Sequence, residues 1–318
     1  MSTASDQISL FQGDVNLRTK SARPTDVRLF KSSRGISTTN LTTSNLVHGD
    51  CQKSLEFWKK NIGIKFQCVV TSPPYWGLRD YQNGSQGEQL GSENTPTEFV
   101  DRLVGVFESV KHNLADDGVL WVNLGDSYTS GNRGWRAPDG KNKHRAMSFR
   151  PSNPPGLKDK ELVGLPWILA GALQRAGWYL RSEIIWNKPN CQPESVKDRP
   201  TRAHEMVFMF VKQEQYFYDY EFSRSEGRNL RTVWDINTQP VSGDHPATFP
   251  VALASRCIKL TSRPGDFVLD PFVGSGSTCI AAGEAGRKSL GLDVKQPFLD
   301  VALKRIGASH FVELSSRS

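Results

Sequence analysis

From about residue 45 onward the apolar positions fall into strand-sized and helix-sized runs. Residues 45–50 read as a strand ending in a turn, and residues 66–70 (FQCVV) as a short β-branched strand. Between residues 97 and 114, Phe99, Leu103, Val106, Phe107, Val110 and Leu114 recur at helical spacing, and Thr95 ahead of Pro96 is a start signal. Further strands are predicted over 118–123, 178–186, 206–211, 266–270 and 288–293. Helices are predicted over 160–176, near 249–260 and from about residue 297. Strands alternating with helices predict an α/β sheet, and no internal repeat interrupts them.

Two stretches break this rhythm. Residues 1–45 hold fifteen Ser or Thr and no sustained periodicity, which predicts a mobile N-terminal arm. Residues 130–160 are rich in Gly, Pro and Asn and carry eight Lys or Arg against Asp139 and Asp159. That net +6 nearly equals the +7 of the whole chain. With Trp135 and Phe149 interleaved, the segment reads as a loop facing nucleic acid in preference to a merely solvated loop. Arg133, Arg136, Lys141, Lys143 and Arg145 are its candidate phosphate contacts.

Composition narrows the class. At 318 residues, 37% hydrophobic and 23% charged, the chain fits one large globular domain or two smaller ones. No apolar run approaches the ~20 residues that span a bilayer. Residues 1–10 lack a basic segment followed by an apolar one, so no secretory signal is readable and the expected location is the cytoplasm, at the nucleoid. Cys51, Cys68, Cys191, Cys257 and Cys279 are widely spaced and form no zinc-like pattern, so no metal site is expected.

The most informative run is TSPPYW at residues 71–76. A double proline directly after a strand cannot continue the ladder, and each proline pushes its predecessor toward extended geometry. Ser72 and Pro73 would thus be held rigidly at the strand's C-terminal end, the edge where open α/β sheets bind ligands. An exocyclic nucleobase amine is a poor nucleophile because its lone pair is delocalised into the ring. The Ser72 hydroxyl and Pro73 carbonyl could accept its two N–H bonds and free the lone pair, while Tyr75 offers the base a stacking face. The competing reading is a proline-stiffened turn with Tyr75 in the core.

The second run, DFVLDPFVGSGST at residues 266–278, reads as strand, glycine turn and helix start. Gly274 and Gly276 allow close backbone approach, and a helix N-terminus presents free N–H groups. The run has no Walker lysine, and Cys279 stands where a dinucleotide fingerprint needs a small residue. Asp293, at the end of the next strand, could grip the ribose hydroxyls of an adenosine.

Taken together, TSPPYW upstream of LDPFVGSGST at residues 269–278 resembles the permuted, or beta-class, amino-methyltransferases of DNA, over about residues 46–306. The resemblance implies a Rossmann-like α/β sheet of the S-adenosylmethionine-dependent type, circularly permuted, with basic loop insertions. It divides the chain into a catalytic half (46–129), the basic loop (130–160), a part completing the sheet and carrying candidate target recognition (161–240), a cofactor half (241–306) and a tail (307–318). By the same likeness Ser72, Pro73, Pro74 and Tyr75 are catalytic. Asp50, Thr248, Phe249, Asp270, Phe272, Gly274, Ser275, Gly276 and Asp293 line the cofactor. Leu90-Gly91 and Arg202-Ala-His-Glu205 also match family landmarks.

The likeness further implies direct methyl transfer from S-adenosylmethionine to an exocyclic amine of duplex DNA, with the target base flipped out. A leading Ser is commoner among N4-cytosine enzymes of the family and a leading Asp among N6-adenine ones, so cytosine is favoured. N6-adenine methylation, a non-catalytic DNA-binding module and a nicotinamide oxidoreductase are the alternatives. A cognate restriction endonuclease acting on the same site is the implied functional partner. Pro189-Asn190-Cys191 is not the proline-cysteine nucleophile of C5 methylation, since Asn190 intervenes. The recognition loops expected are residues 130–160, 187–202 and 220–231.

Overall fold

The computed structural model describes residues 27–77, 90–129, 153–224, 227–239 and 249–315, with side chains to residue 307. Nine strands form one sheet: β1 (Val27–Phe30), β2 (Ser44–His48), β3 (Phe66–Thr71), β4 (Leu114–Leu124), β5 (Tyr179–Asn187), β6 (His204–Val211), β7 (Val233–Asp235), β8 (Phe267–Asp270) and β9 (Lys288–Asp293). Their order is β1-β2-β9-β8-β3-β4-β6-β5-β7. Every pairing is parallel except the two that β6 makes with β4 and β5.

Strand alternation divides the core between the two faces of the sheet. Val69, Leu120, Val122, Phe208 and Phe210 pack against α1 (Cys51–Asn61), α2 (Pro96–Asn113) and α3 (Leu165–Arg175). The short α4 (Tyr220–Ser223) lies between β6 and β7 in the chain. On the other face Cys68, Val70, Val119, Trp121, Val207 and Met209 pack against α5 (Val251–Thr261) and α6 (Ser277–Glu284). A third cluster seats α7 (Gln296–Ser315) on β1, β2 and α6. Because β3 is covered on both faces, all six of its residues are buried, including Gln67, whose Nε2 donates to Asp117 O at 3.1 Å.

This topology places the site. From β8 the chain passes through α6 to β9, and from β3 through α2 to β4, so the two connections leave opposite faces and diverge from a common seam. A crevice opens beyond the carboxyl ends of strands where connections diverge in this way. Here β3 and β8, far apart in sequence, lie side by side with Cys68 opposite Val268 and Val69 opposite Leu269. The Ser72-Pro73-Pro74-Tyr75 run, earlier in the chain, and the glycine turn, later in it, thereby meet at one edge.

The structure corrects several boundaries. Residues 27–45 do not belong to a mobile arm, since β1 pairs with β2 across Val27–Phe30. A four-residue strand is too short to register as periodicity, and the Ser/Thr/Asn-rich link after it is knitted by side chains. Asn40 bonds Ser37 N and Gly35 O, and Asn45 bonds Thr42 O and Ser289 O. Helix α1 was not expected; Asp50 caps it by accepting from Lys53 N at 2.9 Å, and Leu55 and Trp58 anchor it. The limit at residue 306 falls inside α7. The helix expected from residue 160 begins only at Leu165, because Gly164 at φ 81° and Pro at its first turn set its start. Short strand β7 on the sheet edge also lacks a legible pattern.

Candidate active site

Ser72-Pro73-Pro74-Tyr75 leaves the end of β3 as a turn braced by the segment before α2. Trp76 Nε1 donates to Glu93 O at 2.9 Å, and Gly77 N donates to Gly91 O at 3.0 Å. Gly91 lies at φ 96°, and a Cβ there would stand 3.0 Å from Tyr75 O, so the Leu90-Gly91 landmark is where this brace crosses the turn. Glu93 accepts from Gly91 N at 2.8 Å and pairs with Arg102 at 2.6 Å; burial nonetheless raises its carboxyl above the usual range. Two prolines and this brace make the turn at residues 72–76 rigid.

Tyr75 is fixed from the opposite side. Its Oη donates to Glu205 Oε2 at 2.8 Å, from the start of β6, while Lys188 Nζ donates to Glu205 Oε1 at 2.5 Å. Lys188 Nζ also lies 4.4 Å from the centroid of the Trp186 ring. The ring of Tyr75 passes over Gly125, where a Cβ would stand 2.8 Å from Cε2. Ser72 Oγ is 3.5 Å from Tyr75 Oη. Asp126, which follows Gly125, accepts from Ser127, Gly164 and Leu165 N at 2.9–3.1 Å, so it is a turn residue that also caps α3.

Across the seam, Asp270 ends β8 and is fully enclosed. Its Oδ1 accepts from Thr71 Oγ1 at 2.7 Å and Phe272 N at 3.0 Å, and its Oδ2 from Thr278 Oγ1 at 2.6 Å. Burial raises its pKa to about 6 despite these donors. Asp270 is thus a strut between the residue before Ser72 and the first turn of α6. Asp293 ends β9, where Oδ2 accepts from Gly274 N at 3.1 Å and Oδ1 from Lys295 N at 2.8 Å. It too is raised to about 6, chiefly by burial. Its backbone oxygen accepts from Gly49 N at 2.9 Å, which draws Asp50 to the same edge.

The turn between these aspartates is held from outside. Gly274 has φ 48° and Gly276 φ 85°. Ser275 is fully buried and receives Arg305 Nη1 at both its carbonyl (2.6 Å) and its hydroxyl (2.5 Å). A Cβ on Gly276 would stand 3.0 Å from Ala302 Cβ, so this glycine serves contact with α7. Phe272 is half-buried at the turn, and Phe249 is buried with Val70 and Leu253 at the head of α5.

These residues fit an adenosine-type cofactor. Asp293 commits one lone pair of each carboxylate oxygen to a backbone N–H and keeps another on each for a diol. Gly274, Phe272, Asp50 and Asp293 gather at the strand ends, whereas the Asp270 and Ser275 side chains are turned inward as structural ties. Thr248, Arg133, Arg136, Lys141, Lys143 and Arg145 lie outside the described residues. On the described rim, Arg199 stacks 4.0 Å from the Tyr128 ring centroid and pairs with Glu194, and Lys160 pairs with Asp198. Sequence reasoning missed the couplings of Thr71, Thr278, Gly125, Lys188 and Arg305, and took Glu205 only as part of the Arg202-Ala-His-Glu205 landmark. The one available signal was adjacency, since Thr71 precedes Ser72 and Gly125 follows the strand opposite it.

Comparison with known proteins addresses the family and the fold. A family model for N6/N4 DNA methylases matches residues 66–304. The type II methyltransferase M.Cfr9I of Citrobacter freundii is 49% identical over 292 residues, covering 90% of this chain and 94% of the relative. M.XycI of Xanthomonas campestris pv. cyanopsidis is 54% identical over 271 residues, covering 84% and 88%. Among solved structures, the Thermus thermophilus protein TTHA0409 in complex with S-adenosyl-L-methionine superposes with TM-score 0.55 at 25% identity, covering 83% and 93%. The cytosine-N4-specific PvuII DNA methyltransferase shares the fold, with TM-score 0.61 at 19% identity over 85% and 92%.

Proposed function

The chain belongs to the N6/N4 amino family of DNA methylases, and from that premise we propose that it methylates N4 of a cytosine flipped out of duplex DNA, with S-adenosylmethionine as donor. One observation carries the reading: Ser72-Pro73-Pro74-Tyr75 leaves β3 beside the glycine turn that follows β8, with Thr71 and Asp270 bonded across the seam at 2.7 Å. Acceptor groups for an amine and a cradle for an adenosine thereby share one strand edge. The S-adenosylmethionine complex of TTHA0409 supports the cofactor. The leading Ser of the tetrapeptide and the specificity of the PvuII enzyme support the base.

When bound, the cofactor supplies an electrophilic methyl on a sulfonium. Gly274 N–H and the Asp293 carboxylate hold the turn that would seat it, with Asp50 and Phe272 alongside. The prolines keep the Pro73 carbonyl and the Ser72 hydroxyl at a fixed separation, where both accept from the target amine and turn its lone pair away from the ring. Tyr75 stacks on the base, a contact of about 1–3 kcal/mol in single-strand binders. Once methylated the nitrogen is cationic and sheds a proton readily, so no strongly basic side chain is required.

Arg133, Arg136, Lys141, Lys143 and Arg145 are proposed to hold the DNA backbone, and a restriction endonuclease reading the same site is the companion implied by the type II relatives. Among the described residues, no helix is long and apolar enough to cross a membrane. The test is to incubate duplex DNA of varied sequence with the protein and S-adenosylmethionine, digest it fully and weigh the nucleosides. N4-methyl-deoxycytidine is expected. N6-methyl-deoxyadenosine would overturn the base, and no methylated nucleoside would overturn the reaction.

A further inference from the structure

Beyond the tetrapeptide, the site contains a chain of hydrogen bonds whose direction is set at one end. A carboxylate only accepts, so Tyr75 must donate its single phenolic proton to Glu205 Oε2 at 2.8 Å. The Tyr75 oxygen is then an acceptor toward its other neighbours. Ser72 Oγ lies 3.5 Å away and is placed to donate to it, a long contact of the kind that tightens when a substrate fills the site. A serine hydroxyl has one proton. With that proton committed to Tyr75, Ser72 can only accept from anything else it meets.

We propose that Glu205 is a positioning residue which, acting through Tyr75, fixes Ser72 as an acceptor toward the target amine. The inference rests on the methyltransferase reading and adds to it the reason the serine has the right polarity. A freely rotating hydroxyl could instead donate to the ring nitrogen beside the amine. That bond would draw nothing from the amine N–H and would leave its lone pair delocalised.

The surroundings hold Glu205 to this task. Lys188 Nζ donates to the other carboxylate oxygen at 2.5 Å, and the two side chains are only 17% and 16% exposed, so water competes little for either oxygen. Trp186 backs the ammonium at 4.4 Å. Gly125 removes the side chain that would otherwise collide with the Tyr75 ring, and its Cβ would also stand 3.3 Å from Glu205 Oε1. Bare backbone at residue 125 thus lets ring and carboxylate meet. No proton leaves the chain in this role, because Glu205 orders the hydrogen bonds and does not act as the base.

The experiment compares single-turnover methyl transfer by wild type, Glu205→Gln, Tyr75→Phe and the double variant, with cofactor and DNA affinities measured alongside. Glu205→Gln keeps the volume but can donate to Tyr75 and so reverse the chain. Tyr75→Phe keeps the stacking ring and removes the relay. Each single change is expected to slow transfer by about 10²-fold, the scale of a misplaced reacting group, with both affinities preserved. The double variant should be no slower than the slower single, since both break the same chain.

Multiplying effects in the double variant, or wild-type transfer rates in Glu205→Gln, would overturn the assignment while the wild-type activity still stood. If Glu205→Gln misfolds, Lys188→Met and Tyr75→Phe form the second cycle. Non-additivity there upholds the chain, and independence overturns it. A wild type producing no methylated nucleoside would overturn this inference and the function it rests on together.

Discussion

The two turns that meet at the seam are made rigid by opposite means. The turn at residues 72–76 is stiff first in its own covalent structure, through Pro73 and Pro74; the bonds of Tyr75, Trp76 and Gly77 to their neighbours add to that stiffness, and Gly91 and Gly125 leave it room. The glycine turn at residues 272–276 is soft in itself, with two glycines at positive φ, and is made rigid by ties from distant elements. Asp293 holds Gly274 N from β9, Arg305 holds Ser275 from α7, and Asp270 binds Thr278 and Thr71 at once. A group that must present two acceptors in a fixed direction gains from local stiffness. A loop that must lie close against a ligand needs bare backbone, and its order has to come from elsewhere.

The contrast is most exposed at Ser72. Ser72→Ala should lower turnover by about 10²–10³-fold, as loss of one preorganised polar contact to the reacting group does, while cofactor affinity by calorimetry stays near wild type. Near-normal turnover would remove the catalytic turn from the chemistry. The same substitution should leave the denaturation midpoint almost unmoved, because the prolines supply the rigidity.

Asp270→Ala should do the reverse. Thr71 Oγ1 and Phe272 N lose their buried acceptor, and Thr278 keeps only its 3.1 Å bond to Val70 O. Each orphaned donor costs about 1–3 kcal/mol, so the urea midpoint should fall clearly before any kinetic effect is considered. A variant as stable as wild type would show that the strut holds nothing. Gly276→Ala comes next. A left-handed backbone costs a side chain about 1–2 kcal/mol, and the new methyl also presses on Ala302. Gly265→Ala, at φ 90° with nothing within 4 Å, carries the strain without the contact and should be milder.

The same contrast explains what the sequence could and could not disclose. The catalytic turn is written in consecutive residues, so Ser72-Pro73-Pro74-Tyr75 is legible as a rigid acceptor pair from residue order alone, and so is the glycine turn as a backbone feature. Strand β3, with Cys68-Val69-Val70 at its centre, and the periodic α2 are equally plain, because burial on both faces or one stripe leaves a direct trace in residue type. Pairing across the chain escapes such reading. Thr71 with Asp270 spans a separation of 199 residues, and Tyr75 with Glu205 spans 130. Nothing in a Thr or a Glu taken singly announces such a partner. Asp270 and Ser275 were assigned to the cofactor because they sit inside a binding motif, whereas their side chains face inward as ties. Strand β1 was lost for a related reason: four residues after a polar stretch become a strand only because β2 offers an edge.

The smallest effect concerns Asp293, the tie proposed to face the cofactor. Burial lifts Asp293 from 3.8 to about 6, with the N–H groups of Lys295 and Gly274 pulling the other way. Between those two values the folded protein keeps a proton that the unfolded chain releases. The carboxyl's contribution to stability is therefore present at the acid end and is lost as pH rises through about 6. Cofactor binding should run in the opposite sense, because ribose hydroxyls donate more strongly to a carboxylate than to a carboxylic acid. Affinity for S-adenosylmethionine should accordingly strengthen from about pH 5 to about pH 7, on either side of the shifted carboxyl. In Asp293→Asn the amide cannot titrate, so the rise should flatten, with the variant weaker at the upper end and close to wild type at the lower. Calorimetric titrations of both proteins across that range would decide it. Parallel profiles would assign the pH dependence to another group and leave Asp293 with only its structural tie to Gly274.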